Sequence, residues 1–389
     1  MFQELNSFSS LEKFSNSQNK QSVNELSLDF SEHKIKDGQI NILTQNLLKF
    51  VSLTTLRINL NNNKISQQKL NELIKNLDKQ ENLTDLQIGL AQCDLNDDYD
   101  LGNILANLTK IRNLNINLSK NDIWEKGAAD LGKGLSKCEQ LIELQITLNN
   151  NRIYNEGLLE LGTVLGQSKS LKSLQLSLNQ CQIGDEGMLY LSQGISNSIQ
   201  LRNLVLSLQG IQLQDQGFQN LYTSLGKCQN LTELKIDVSN NLLGKTEVIS
   251  FFEAFEKILS LQCIELLLYN NKIGESWIQN FSSGLKLIKN LRNLTIDLKF
   301  NDIKIQGAVN LIKGIAGCKN LRSLNLDISR NQIDYNKMED FFNQLRFCTN
   351  VAVFVLELRQ QMRNFDFDQL KDRLKKMKRL VYIGINLQK

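Results

Sequence analysis

Apolar and polar residues alternate over short stretches of this chain, then switch to a three-and-four spacing, and the switch recurs from one end to the other. In one cycle Leu141, Leu144, Ile146 and Leu148 lead to Asn151 and Ile153, and Gly157, Leu161 and Leu165 follow. Thirty residues on, the same places hold Leu171, Leu174, Leu176, Leu178, Cys181, Ile183, Gly187, Leu191 and Ile195. Period-two runs such as Leu204, Leu206, Leu208 predict a strand with one buried face. Ala128, Leu131, Leu135 and Cys138 fall at helical spacing. Between the two lies Asn-x-Ile-x-x-x-Gly, as at Asn121 to Gly127, where a glycine suits a tight turn into the helix.

The first apolar position of each cycle falls at Val23, Leu53, Leu83, Ile111, Leu141, Leu171, Leu201, Leu231, Leu261, Leu291, Leu321, Val351 and Leu380. All steps are thirty except Leu83 to Ile111, two shorter, and Val351 to Leu380, one shorter. One cycle has an apolar strand face and an apolar helix face that only neighbouring cycles can bury. Parallel strands stack at about 4.8 Å and helices at about 8–10 Å, so strands should line an inner arc and helices an outer one. The prediction is an α/β solenoid, a horseshoe of about 12–13 repeats with a parallel inner sheet and outer helices. The expected organisation is an N-terminal helical cap over 1–22, from the spacing of Phe2, Leu5, Phe8, Leu11 and Phe14, and the solenoid over 23–389. Asn63, Asn121, Asn151, Asn241, Asn271, Asn301 and Asn331 share one column. Turned inward, each amide would satisfy loop backbone groups that lack a sheet partner. Cys93 and Cys181 are weaker substitutes in that column, and Ile211 is none, so its turn should be the least satisfied.

Composition narrows the function. There are 45 Lys plus Arg against 41 Asp plus Glu, and a net +4 does not make a nucleic-acid protein driven by bulk charge. Seven cysteines follow the repeat rather than any pairing, which suits buried thiols in a reducing compartment. The first twenty residues lack the apolar core of a signal peptide, and no apolar run approaches membrane-spanning length. The expectation is a cytoplasmic protein with no membrane or nucleic-acid partner.

Units such as NNRIYNEGLLELGTVLGQSKSL and NQCQIGDEGMLYLSQGISNSIQL resemble leucine-rich repeats of the ribonuclease-inhibitor type, over about Val23 to Lys389. The strand half departs from the usual spacing, because an extra x-Leu (Leu60, Leu118, Leu148) lengthens the alternation before Asn. That variant, with no proline and much Asn, Gln and Lys, looks like the expanded intracellular leucine-rich-repeat proteins of ciliates. The resemblance implies an interaction protein: an enzyme inhibitor, a Ran-type GTPase-activating protein, or an assembly scaffold. The fold carries over, but none of these functions follows from it.

Chemistry-bearing motifs are incomplete. Gly127 to Gly134 nearly spells a phosphate-binding loop, but Gly134 stands where a magnesium-binding hydroxyl is needed, within a predicted helix. Asp94, Asn96, Asp98 and Asp100 match the start of a calcium loop, while Tyr99 replaces its glycine and Leu105 its bidentate Glu. His33 is the sole histidine and falls in the Asn column, a structural place. No cysteine or histidine group has zinc spacing. The chain reads as no enzyme, without cofactor or metal. Trp124 and Tyr154 share one loop position and suit either an exposed aromatic pair or, as the favoured reading, packing over the helix start.

The outward face of the strands changes along the chain. Early positions are mostly uncharged (Asn59, Gln87, Asn115, Asn117, Thr147, Gln175, Ser177, Ser207). Later ones are Asp237, Glu265, Asp297, Asp327 and Glu357, with Lys235, Lys299 and Arg359 alongside and Leu267 and Tyr269 among them. An acidic stripe with a Leu/Tyr anchor suits a basic protein partner; the bland alternative is an ordinary solvated sheet face. At the far end Leu380, Ile383, Ile385 and Leu387 form a strand without a following helix, after the basic run Lys371, Arg373, Lys375, Lys376, Lys378, Arg379. Such an edge suits assembly with an acidic partner or a second copy. The reading is a non-enzymatic protein-interaction scaffold using the concave face and the C-terminal edge. The alternatives are a Ran-type GTPase-activating protein and a structural subunit of a ciliary or other large assembly.

Overall fold

The computed structural model describes residues 6–18, 20–245, 253–334, 337–358 and 380–386. It divides into two compact units, Met1–Ile183 and Gly184–Lys389. Unit 1 holds β1 (Asn6–Phe8), α1 (Leu11–Ser15), β2 (Glu25–Asp29), α2 (Asp37–Leu47), β3 (Thr55–Asn59), α3 (Gln67–Asp78), β4 (Asp85–Gly89), α4 (Leu101–Leu105), β5 (Asn113–Asn117), α5 (Glu125–Leu135), β6 (Glu143–Thr147), α6 (Gly157–Gln167) and β7 (Ser173–Ser177). Unit 2 holds α7 (Gly184–Ser196), β8 (Asn203–Ser207), α8 (Asp215–Leu225), β9 (Glu233–Asp237), β10 (Cys263–Leu267), α9 (Glu275–Leu285), β11 (Asn293–Asp297), α10 (Ile305–Ala316), β12 (Ser323–Asp327), α11 (Glu339–Leu345), β13 (Val353–Glu357) and β14 (Tyr382–Asn386).

Within each unit every strand pairs in parallel with the next strand in sequence, and the described helices lie between successive strands in the chain. Both units are stacks of a leucine-rich-repeat solenoid. Register equals repeat length: Leu56 lies opposite Leu86, and Leu294 opposite Leu324. The two short steps are absorbed outside the sheet. Leu86 still faces Leu114 across the 28-residue step, because α4 has only five residues where α3 has 12. Alternate strand residues, such as Leu144 and Ile146, are buried against the helices.

Glycines let the helices of unit 1 close up. A Cβ on Gly134 would collide with the Gly102 carbonyl oxygen, and one on Gly132 would come 3.1 Å from the Leu161 backbone. The segment that resembles a phosphate loop is therefore a packing face inside α5, not a loop opening toward a ligand.

The described residues from Asn6 to Ser22 are not one continuous capping helix. Described from Asn6, the stretch is a strand, β1, parallel to β2, followed by the five-residue α1. Its three-residue apolar spacing serves both elements, because Phe8 and Phe14 close the end of the core together with Phe30 and Phe50. Phe2 and Leu5 lie outside the described residues.

The Asn column wires each repeat to the one before it. Asn151 Nδ2 donates to Leu148 O (2.8 Å) in its own repeat and to Leu118 O (3.0 Å) in the preceding one. Its Oδ1 accepts from Asn121 N (3.1 Å) and Ile123 N (3.3 Å). The same pattern recurs at Asn63, Asn121, Asn241, Asn271, Asn301 and Asn331. In place of the amide, the Cys93 and Cys181 thiols donate to the preceding repeat's carbonyls, at Leu60 (3.3 Å) and Leu148 (3.2 Å). The turn at Ile211 differs from expectation. Asn241 Oδ1 accepts from Ile211 N and Leu213 N, and Asn241 Nδ2 holds Leu208 O at 2.8 Å, so the following repeat satisfies it. His33 also departs from its expected structural role: it is exposed, with Nδ1 2.6 Å from Ser31 O.

A second set of links joins successive repeats at the helix starts. Asp97 Oδ1 accepts from Trp124 N and Gly127 N, Asp185 from Gln214 N, and Glu275 from Lys304 N. Each carboxylate caps backbone donors that the next helix cannot satisfy itself.

Replacing Asn151 by Ala removes the acceptor of the buried Asn121 and Ile123 N–H groups, while Leu118 O keeps Asn121 Nδ2 and Leu148 O keeps the Cys181 thiol. We expect destabilisation of about 2–4 kcal/mol, read as a fall in the urea midpoint followed by circular dichroism.

Candidate protein-interaction surface

The outward strand faces of the two units differ in charge and in how fully they engage themselves. In unit 1 the row is dominated by amides and hydroxyls that bond one another: Asn115 Nδ2 to Gln145 Oε1 (3.1 Å), Ser177 Oγ to Asn149 Oδ1 (2.7 Å). The charges there pair locally, as Arg57 does with Glu25 at 3.3 Å. Shallow depressions of about 310 and 260 Å³ on this face are lined by the same polar side chains.

In unit 2 the residue closing each strand forms a row across β9 to β13: Asp237, Leu267, Asp297, Asp327, Glu357. Asp297 and Asp327 sit on adjacent strands, about 5 Å apart in the ladder direction, where like charges repel. Each accepts the backbone N–H two residues on, from Lys299 (2.9 Å) and Ser329 (2.8 Å). Among the described residues neither carboxylate has an ion-pair partner within 4.0 Å. Burial pushes the Asp297 carboxyl above its ordinary value, and the charges of Asp327 and Asp237 add to the rise against the Lys299 backbone bond and ammonium.

Not every acid of the stripe presents its carboxylate to the surface alone. Glu265 is paired with Lys235 at 2.7 Å, two residues back along the strands. Asp237 is buried, bonded to Gln209 Nε2 and Ser239 N. Leu267, Asp297, Asp327 and Glu357 are half-buried and reach the surface. Arg359 and the basic run Lys371 to Arg379 lie outside the described residues.

Just beyond the strand ends Tyr269 meets a residue the sequence reading passed over. Phe300 packs edge-on against Tyr269, ring centroids 5.6 Å apart at 86°. Lys299 Nζ lies 5.9 Å from the Tyr269 ring and 5.6 Å from the Phe300 ring, and the Arg330 guanidinium 5.9 Å from Phe300. Phe300 is 43% exposed and has φ of 55°, in the left-handed region. The corresponding residues elsewhere are Glu32, Asn62, Gln92, Lys120, Asn150, Gln180, Gly210, Asn240, Asn270 and Arg330, all with positive φ. A bulky aromatic is strained in that conformation, which suits Gly and Asn. The signal was present in the sequence as the one apolar residue in an otherwise polar column.

Other singled-out residues are placed elsewhere. Trp124 and Tyr154 form a partly exposed pair, centroids 6.4 Å apart, with Arg152 over the indole at 5.1 Å, rather than packing over the helix start. The acids of the calcium-like loop serve different partners: Asp94 pairs with Lys64 at 2.6 Å, and Asp100 caps α4 through Asn103 N. No described helix is long and apolar enough to cross a membrane. All seven cysteines are free thiols, and six are buried. Burial pushes Cys138, Cys318 and Cys348 up to about 12 and Cys181 and Cys228 up to about 11.

No protein-family model and no curated protein matches the chain. Among solved structures it is similar to internalin C2 of Listeria monocytogenes, with 18% identity, a TM-score of 0.36, and coverage of 65% of this chain and 83% of that one. It is also similar to a chain of the yeast Rad7 and Elc1 complex, with 16% identity, a TM-score of 0.48, and coverage of 96% and 83%. Likenesses this distant say nothing of function.

Two outcomes are expected. Asp297 holds its proton more tightly folded than unfolded, so its ionisation weakens the fold as pH rises through the raised folded value, and stability returns as pH falls toward the ordinary carboxylate value. Asp297→Asn should therefore raise the urea midpoint at pH 7, with the advantage over wild type shrinking by pH 4. In native protein at pH 8, iodoacetamide should label the half-exposed Cys263 first, with the six buried thiols reacting only on unfolding, as read by mass spectrometry of peptides.

Proposed function

We propose that this chain is a non-enzymatic protein-interaction scaffold of the ribonuclease-inhibitor type of leucine-rich repeat, which binds a basic segment of a protein partner on the outward strand face of unit 2. The observation that carries this reading is Phe300, an exposed ring held in a strained backbone conformation near the half-buried carboxylates of Asp297 and Asp327. Backbone strain of this kind is commonly found where function requires it. The chemistry is complementary: a Lys or Arg side chain would meet Asp297 and Asp327 at its charged end, while Leu267, Tyr269 and Phe300 cover its stem. The rings already draw the chain's own cations, Lys299 and Arg330. Seven free cysteines agree with a reducing, cytoplasmic setting.

The test is Phe300→Asn, measured against a degenerate Lys/Arg-rich peptide library by fluorescence anisotropy. Asn already fills this column at Asn240 and Asn270, so the fold should be kept or gain about 1 kcal/mol. Binding should fall at least about tenfold. Unchanged binding in the Asn variant, or in Asp297→Asn with Asp327→Asn, would remove the proposal.

A further inference from the structure

The opposite edge of unit 2, where the chain enters the strands, has a different character. Arg292 and Arg322 immediately precede β11 and β12, and Arg322 N donates to Arg292 O at 2.7 Å, so the two residues stack on neighbouring repeats. Both are exposed, and among the described residues neither guanidinium has a carboxylate within 4.0 Å. They line a depression of about 320 Å³ with Gln262, Asn290, Asn320 and Leu259. Two cations held side by side without a counter-charge repel, and that repulsion is relieved by one anion bridging them.

The geometry points to an anion site here, for the phosphate monoester of a phosphoserine or phosphothreonine on a protein partner. Guanidinium groups match a tetrahedral dianion through paired N–H donors, which a lysine cannot offer. Leu259 is the single apolar residue in the lining, so there is no platform for a nucleotide base and no slot for an acyl chain. Asn290 and Asn320 present side-chain amides along the edge, one repeat apart. Each is fixed by an Nδ2 bond to the preceding repeat, at Leu259 O (2.7 Å) and Lys289 O (2.8 Å). Amides fixed in this way suit the backbone of an extended peptide running across the repeats. This surface lies at the opposite ends of the strands from the acidic row, so it does not depend on the proposed basic-partner site.

The test uses the full chain, with the arginine side-chain Nε–H signals as reporters. Three titrants are added in parallel: a degenerate phosphoserine peptide mixture, its unphosphorylated counterpart, and inorganic phosphate. The expected result is saturable shifts of the Arg292 and Arg322 signals with the phosphopeptides, at concentrations at least about tenfold lower than with inorganic phosphate, and none with the unphosphorylated mixture. Arg292→Gln with Arg322→Gln should abolish binding. Gln262 occupies the same column, so the fold tolerates Gln there. Arg292→Lys with Arg322→Lys should retain only a salt-sensitive remnant. Equal affinity for phosphate and phosphopeptide, equal affinity for the unphosphorylated mixture, no shift at millimolar phosphopeptide, or full binding by the Gln variant would each overturn the proposal.

Discussion

A strand that ends in mid-molecule leaves backbone groups that neither sheet nor helix can satisfy, and burying them unpaired costs more than most side-chain contacts return. The fold depends on how that problem is solved at every repeat. One amide, as at Asn151, holds two carbonyls and two N–H groups that belong to two different repeats. The turn and the stacking are thus one interaction. A repeat cannot complete its own turn without a neighbour, and the neighbour must arrive in a fixed register. The carboxylates that cap the next helix, from Asp97 to Glu275, impose the same dependence on the opposite side of the loop.

That rigid register is what makes a surface out of repeated residues. Side chains at one position of the repeat come to lie beside one another whatever their identity, so charge that is scattered in the sequence becomes a row. Asp297, Asp327 and Glu357 are each thirty apart in the chain and adjacent in the sheet. The raised Asp297 carboxyl is a direct result: burial in the row raises it most, and the pairing of strands adds the charges of Asp327 and Asp237. Equally, Arg292 and Arg322 are brought together at the other end of the strands. Structural positions in the repeat are nearly invariant along the chain, whereas the outward positions vary, and it is the departures from the column that mark the proposed sites.

Several positions show where column logic fails. His33 falls in the Asn column yet is exposed, with Nδ1 at Ser31 O of its own repeat. Ile211 lacks an amide, yet its N–H is held by Asn241. At Ile211 the deciding group comes from the following repeat, which the residues of its own repeat do not reveal. Asp237 was grouped with the acidic face by its spacing, but Gln209 and Ser239 engage it and bury it. Glu265 was grouped likewise and is neutralised by Lys235.

The hydrophobic period by itself determined the secondary structure, the parallel order within each unit, the thirty-residue register and the buried column, because each follows from local geometry and from which faces must be covered. It did not determine which outward groups remain unpaired. That depends on contacts between side chains a whole repeat apart, whose rotamers the period does not constrain. The sequence listed Tyr269 and Lys299 as neighbours of the acidic stripe, but only the tertiary structure brought Phe300 and Arg330 against them. Spacing placed Phe8 and Phe14 on one capping helix, whereas the need to close the first strand's open edge made one of them part of β1. The buried scaffold is fixed by a repeated local rule, and the surface by the particular pairs that stacking brings together.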